Sequence, residues 1–191
     1  AATVFVWQWR QQLLLWRKDT KSSVPPAIFG CKWNRVEKAD GSRHFDFCTF
    51  GMKHINFFKE DPKAPNPKGH LRMYVAEAGS FVNKQDPKAD PKAKDVPQVQ
   101  DVMCVEFLAN GNVVSGMASG DIYLWKPMAT SHGMQCDKIL MIPGADPTKP
   151  KVKAHLHTVQ VLKIRFVRSS SGDAIPTLLS GGGGGKIKVW K

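Results

Sequence analysis

The chain has 191 residues, 42% of them hydrophobic and 23% charged, a globular composition able to bury a core and without collagen-like or disordered bias. No apolar run approaches the ~20 residues that span a bilayer, and no basic segment precedes an apolar leader-like stretch, so a soluble protein is expected. The net charge of +12 is uneven: residues 1–38 carry 7 basic and 2 acidic side chains, 39–148 carry 12 and 13, and 149–191 carry 9 and 1. Two basic ends around a neutral middle point to an acidic partner, whether protein, nucleic acid or anionic lipid.

The chain opens without Met, directly on the apolar run Val4-Phe5-Val6-Trp7. This start suggests an excised piece of a longer chain. The run places two apolar residues at alternate positions before an aromatic, a strand signature. Leu13 to Leu15 follows as a further short strand. Phe29-Gly30-Cys31-Lys32-Trp33 then alternates apolar with variable residues, Phe47-Cys48-Thr49-Phe50-Gly51 ends on a glycine, and Ile55-Asn56-Phe57-Phe58 repeats the pattern of Val4–Trp7.

Next come two inserts, Lys59–His70 and Asn83–Val99, rich in Pro and Lys, with Asp-Pro-Lys-Ala occurring three times. Proline cannot donate to a sheet ladder, so both read as loops outside the sheets. Leu71 to Val75 lies between them as a fourth strand. After the second insert the cycle restarts: Met103-Cys104-Val105-Glu106-Phe107, Val113-Val114-Ser115-Gly116, Ile122-Tyr123-Leu124-Trp125, then Ile139 to Ile142. A third insert, Pro143–Lys153, precedes the last cycle of Leu162-Lys163-Ile164-Arg165-Phe166, Leu178-Leu179-Ser180-Gly181 and Ile187-Lys188-Val189-Trp190.

Four short strands per unit with a glycine turn between the second and third is the pattern of a propeller blade. The closing aromatics stand 51, 67 and 65 residues apart, against ~40–45 for a compact WD repeat, and the inserts account for the excess. The expected fold is all-β: a β-propeller (WD-repeat) fragment of about three four-stranded antiparallel blades plus one orphan strand. Residues 1–9 close a preceding blade, and 10–58, 59–125 and 126–191 form one blade each. Propellers close with four to eight blades, so the three are expected to belong to a larger ring.

The residues from Val102 to Gly116, running on through Gly120-Asp121 to Trp125, resemble blades of the echinoderm microtubule-associated protein-like family, and so do Phe47 to Phe58. Family blades commonly read Cys/Thr-x-Gly-x-x-His, then alternating apolar residues and Trp, followed after a long connection by a Phe-Leu-x-Asn-Gly-Asp blade. Here Gly51 to Ile55 is four residues, while Gly116 to Ile122 and Gly181 to Ile187 are six, matching a shortened blade followed by a long-linked one. The resemblance covers nearly the whole chain, most strongly residues 27–125. It implies a tandem-propeller scaffold that binds tubulin or microtubules and other scaffold proteins, in the cytoplasm and cytoskeleton and in some relatives the axoneme of a cilium or flagellum. The family's trimerising coiled coil and the hydrophobic motif before its first propeller are absent from these 191 residues.

Compared with the general WD pattern, Ser119 and the Gly181–Gly185 run replace the turn aspartate, and only His155 stands at the usual histidine place. The common Asp–His–Ser–Trp network is therefore expected to be incomplete.

Candidate sites divide into weak and stronger. Ser180-Gly181-Gly182-Gly183-Gly184-Gly185-Lys186 superficially resembles a phosphate loop, but Ile187 stands where the magnesium-binding hydroxyl is needed and a strand follows instead of a helix. A turn between two strands is the better reading. His155 and His157, even with Cys136 and His132, show no three- or four-ligand spacing, so His155 is read as structural. The four cysteines form no CxxC pair, and Cys31, Cys48 and Cys104 sit in apolar runs, as reduced core thiols would. No nucleophile–base or paired-carboxylate arrangement can be placed, so neither catalysis nor a cofactor nor a metal is expected. The basic residues Lys149, Lys151, Lys153, Lys163, Arg165 and Arg168, with no acid between Asp146 and Asp173, are the candidate partner-binding patch. It suits acidic tubulin surfaces. Nucleic acid is less favoured, because the aromatics that would stack bases are used in blade cores, and a membrane is not expected. The alternatives are a WD adaptor of a complex unrelated to tubulin and an RNA-binding propeller.

Overall fold

A computed structural model describes residues 3–19, 27–37, 41, 45–61, 74–81, 97–128, 133–140, 152–168, 171–172 and 174–190. Its regular elements are strands throughout. β1 (Thr3–Gln8) and β2 (Leu13–Asp19) form a first sheet. The second joins β3 (Ile28–Trp33), β4 (Phe47–Gly51), β5 (His54–Glu60) and β6 (Tyr74–Ala78) in that order. β7 (Val102–Phe107), β8 (Val113–Met117), β9 (Ile122–Pro127) and β10 (Met134–Leu140) make the third. β11 (Val159–Arg168), β12 (Ala174–Gly182) and β13 (Ile187–Trp190) make the fourth. Every pairing within a sheet is antiparallel. The fold is all-β, a partial β-propeller.

Strand assignment differs from the sequence reading at the unit boundaries. The strand at Val4–Trp7 is not an orphan: β1 pairs with β2, from Thr3↔Asp19 to Gln8↔Leu13. Likewise β6 pairs with β5 and β10 with β9, so sheets and the sequence units 10–58, 59–125 and 126–191 are offset by one strand. A hairpin joins neighbours in the chain more cheaply than a crossover, so each fourth strand folds back on the third.

Register makes the repeat exact where spacing left it loose. In the second, third and fourth sheets the first strand carries a bulge at the same place, between Ile28 and Gly30, Val102 and Cys104, and Val159 and Val161. Trp33 faces Phe47, Phe107 faces Val113 and Ile164 faces Leu178, so the third member of that column is Ile164, two residues before Phe166. A two-residue slip preserves the alternation, which is why the pattern by itself could not exclude it. The same register aligns Phe50, Gly116 and Gly181, facing Ile55, Ile122 and Ile187. The β4–β5 turn is thus one residue shorter than the others, not two, since Gly51 belongs to the column of Met117 and Gly182. β5 also runs two residues into the stretch read as an insert, Lys59 and Glu60 pairing with Val75 and Tyr74. Pro62, Pro65, Pro67, Pro87 and Pro91 of the two inserts lie outside the described residues, whereas Pro97, at the end of the second, is described and buried.

The sheets pack face to face by one rule. The aromatic closing each third strand points at the preceding sheet, and the residue before it points at the following one. Phe58 and Phe47 stack at 4.6 Å and bury against Val6 and Trp16 of the first sheet. Trp125 packs against Phe57 of the second sheet in a core that includes Phe45, Ile55, Val105 and Met134. Trp190 packs on the third sheet beside Val114, Ile122, Val159 and Leu162. The central strands β4 and β8 are buried along their whole length, because a neighbouring sheet covers each face. First strands approach one another, β3 beside β7 and β7 beside β11. They line the inner side of the array, while Ser80, just after β6, bridges to Gln135 of β10 on the outer side.

Candidate partner-binding surface

The sequence-level patch does not gather into one surface. Lys149 and Lys151 lie outside the described residues. Lys153 is exposed and its Nζ is 3.6 Å from Asp121 Oδ2, at the β8–β9 turn. Lys163 and Arg165 sit well along β11, past the middle of the sheet, with both side chains exposed. Arg168 ends β11, and its side chain lies outside the described residues. Strand direction separates the groups: Val159 pairs with Gly182 near the Lys153 end, whereas Arg165 pairs with Thr177 toward the other.

Lys163 and Arg165 meet residues that sequence order had kept apart. Together with Cys31, Lys32, Trp33 and Arg35 of the second sheet and Glu106 of the third, they line a cleft of about 360 Å³. Lys32, Glu106 and Lys163 occupy the same register column on β3, β7 and β11. Lys32 donates to Glu106 Oε2 at 2.9 Å, an ion pair that joins neighbouring sheets. Arg165 Nη1 donates to the carbonyl of Ile164 at 3.2 Å, which leaves most of its five N–H donors available. The cue missed in the sequence was a charged residue at the matched register position of all three first strands.

The residues around the turns are structural. His155 is buried, its Nε2 2.8 Å from Ser180 Oγ, and Trp190 Nε1 donates to the same oxygen at 2.8 Å. In the third sheet Trp125 Nε1 donates to Ser115 Oγ at 2.8 Å. Burial, and secondarily the Lys188 charge, lower the His155 pKa and hold the ring neutral. The backbone N–H of His155 donates to the Gly120 carbonyl at 2.9 Å, tying the fourth sheet to the β8–β9 turn. Tyr123 accepts at its hydroxyl from the Gln98 N–H at 2.9 Å and Gln100 Nε2 at 2.6 Å, anchoring the segment that leads out of the second insert.

The glycine run of residues 181–185 joins β12 to β13, with Gly185 at φ 70°. All four cysteines are free thiols: Cys31 is exposed, Cys104 half-buried, and Cys48 and Cys136 buried. Desolvation pushes the Cys104 pKa up to about 12 and those of Cys48 and Cys136 higher still, so these three are poor nucleophiles. Among the described residues no group of three or more His, Cys, Asp or Glu could hold a metal, and no helix is long and apolar enough to cross a membrane. His132 lies outside the described residues.

Sequence comparison adds one relation to this fold. Over 120 residues, 63% of the chain, it is 27% identical to the 77 kDa echinoderm microtubule-associated protein of Strongylocentrotus purpuratus. The relation is distant. The matched stretch covers 13% of that relative's length, and no family model matches the chain.

Proposed function

We propose that the protein is a microtubule-associated scaffold of the WD-repeat type, acting without catalysis by holding loops and charged surfaces on rigid sheets. The observation that carries this reading is the distant similarity to a microtubule-associated protein over 120 residues, in a chain that folds as propeller sheets. The +12 charge supports it, since an acidic protein surface is attracted by a basic one and steered to it at low salt. The cytoskeleton, including the axoneme of a cilium, is the corresponding location, and tubulin and other scaffold proteins are the corresponding partners.

Co-sedimentation with microtubules tests the proposal. Binding should weaken as salt rises, because the Debye length falls to ~8 Å at physiological ionic strength, and it should fall when the acidic tubulin tails are removed. Reversing Lys149, Lys151 and Lys153 together to Glu should cost about 1–3 kcal/mol, on the order of tenfold in affinity, at ~0–1 kcal/mol for each surface pair. Co-sedimentation undiminished at low salt in that variant would assign these lysines to a solvated rim. No binding by the unaltered chain would favour an adaptor for another complex, and a filter-binding assay with RNA would test the remaining alternative.

A further inference from the structure

We infer that the cleft between the inner strands β3, β7 and β11 is a binding site for an extended acidic peptide, recognised by Lys163, Arg165 and Arg35 around the fixed Lys32–Glu106 pair. Four cations and one carboxylate line it. Glu106 is engaged by Lys32 at 2.9 Å, and no described carboxylate pairs with Arg35, Lys163 or Arg165. Among the described residues, three cations therefore line one space without a paired carboxylate. A low-dielectric wall on each side strengthens their common field. The two arginines bring forked donors that match carboxylate geometry.

Three features favour a peptide. The volume, about 360 Å³, is at the small end of ligand pockets and suits a narrow chain carrying one or two carboxylates. β3, β7 and β11 are each the first strand of a sheet, paired on one side only, so their open edges present backbone N–H and C=O groups that can pair with an extended main chain. Two aromatics line the cleft, and with Phe107 buried only the half-exposed Trp33 offers an open ring face, whereas single-stranded nucleic acid is held on successive stacking platforms. The assignment rests on charge and strand geometry, and it holds for any acidic segment, whether from tubulin or from another protein.

A short fluorescent oligoglutamate peptide is the probe, titrated against the 191-residue chain at low salt and followed by anisotropy. Binding is expected, with a loss of about tenfold or more in the double variant Lys163→Glu/Arg165→Glu. Lys186→Glu, on the β12–β13 turn at the other end of the strands, should change affinity by less than about twofold. Glu106→Gln should tighten binding by about two- to fivefold, because it removes the one negative charge and releases Lys32. Lys163, Arg165 and Lys186 are exposed and Glu106 is partly buried, and unchanged thermal unfolding confirms that each variant folds. Cys31 supplies an independent locator: it lines the cleft, and the other three thiols are wholly or partly buried. Saturating oligoglutamate should slow alkylation of Cys31 several-fold. Peptide binding without protection of Cys31, equal losses in the Lys186 and Lys163/Arg165 variants, or displacement of the peptide by single-stranded oligouridylate at lower concentration would each overturn the assignment. Absence of oligoglutamate binding at low salt would overturn it too, while leaving microtubule association to be decided by co-sedimentation.

Discussion

The third and fourth sheets are built from nearly the same local instructions and end in different environments. Each has a bulged first strand, a Ser on the second strand that accepts from the indole of a closing Trp at 2.8 Å, and a glycine-containing turn between. The third sheet is covered on both faces, so Ile122 is 0% exposed and Trp125 is 0% exposed. The fourth is covered on one, and at the column of Ile122 stands Ile187, 77% exposed, with Val189 59% exposed beside it. Hydrogen-bonded geometry therefore travels with the local sequence, whereas burial belongs to the neighbour. Substitutions at matched positions should cost very different amounts.

The largest difference is expected at the turn glycines. Gly120 has φ 89°, and a Cβ there would lie 2.2 Å from the His155 carbonyl oxygen; Gly185 has φ 70° and nothing within 4 Å. Gly120→Ala should cost about 4 kcal/mol or more, since strain and a backbone clash act together. Gly185→Ala should cost only the left-handed penalty of about 1–2 kcal/mol. Denaturant unfolding of both variants measures the gap, and equal costs would break the comparison.

Ile122→Ala should then cost about 2–4 kcal/mol through lost transfer energy and a cavity. Ile187→Ala in the 191-residue chain should stay within about 0.5 kcal/mol, as changes at exposed positions do. The serines should differ less. Ser115→Ala strands a fully buried indole N–H, for about 1–3 kcal/mol. Ser180→Ala strands the indole of the half-buried Trp190 and also the buried His155 ring, so it should cost about as much in the same assay.

The smallest effect concerns pH. His155 stands four residues before β11, at the place where Gln98 stands before β7. Because its folded pKa lies below the ordinary value of about 6.5, the unfolded chain takes up a proton first as pH falls. The stability tied to the neutral ring is complete above about pH 6.5 and is lost as pH drops through the folded pKa. His155→Gln should flatten this acid limb, lessening the fall in Tm between neutral and mildly acidic pH by roughly a few degrees. His54, also shifted down by burial, supplies a residual slope in both proteins.

Much of this architecture was legible from residues alone. Alternation with a closing aromatic located β1, β5, β9 and β13, and glycine marked the β8–β9 and β12–β13 turns, because side-chain period and φ preference are local properties. His155 was legible as structural, and its bond to Ser180 bears that out. Three features were not legible. The two-residue slip on β11 was hidden by period-two symmetry. The partner of each fourth strand depended on the hairpin that formed. The Lys163–Arg165 surface required Lys32 and Arg35, more than 120 residues earlier in the chain, to be brought alongside.

The sequence by itself determined the strands, their faces, the turns and the sign of the charge, since each depends on a residue and its near neighbours along the chain. Tertiary structure alone decided that, within these 191 residues, Ile122 is buried and the matched Ile187 exposed. It also split a linear run of basic residues and rebuilt part of it as an inner cleft. The physical reason is radial packing. Neighbouring sheets set burial, and inner strands distant in sequence converge at one register level, so that their charged side chains line one cleft although no local pattern connects them.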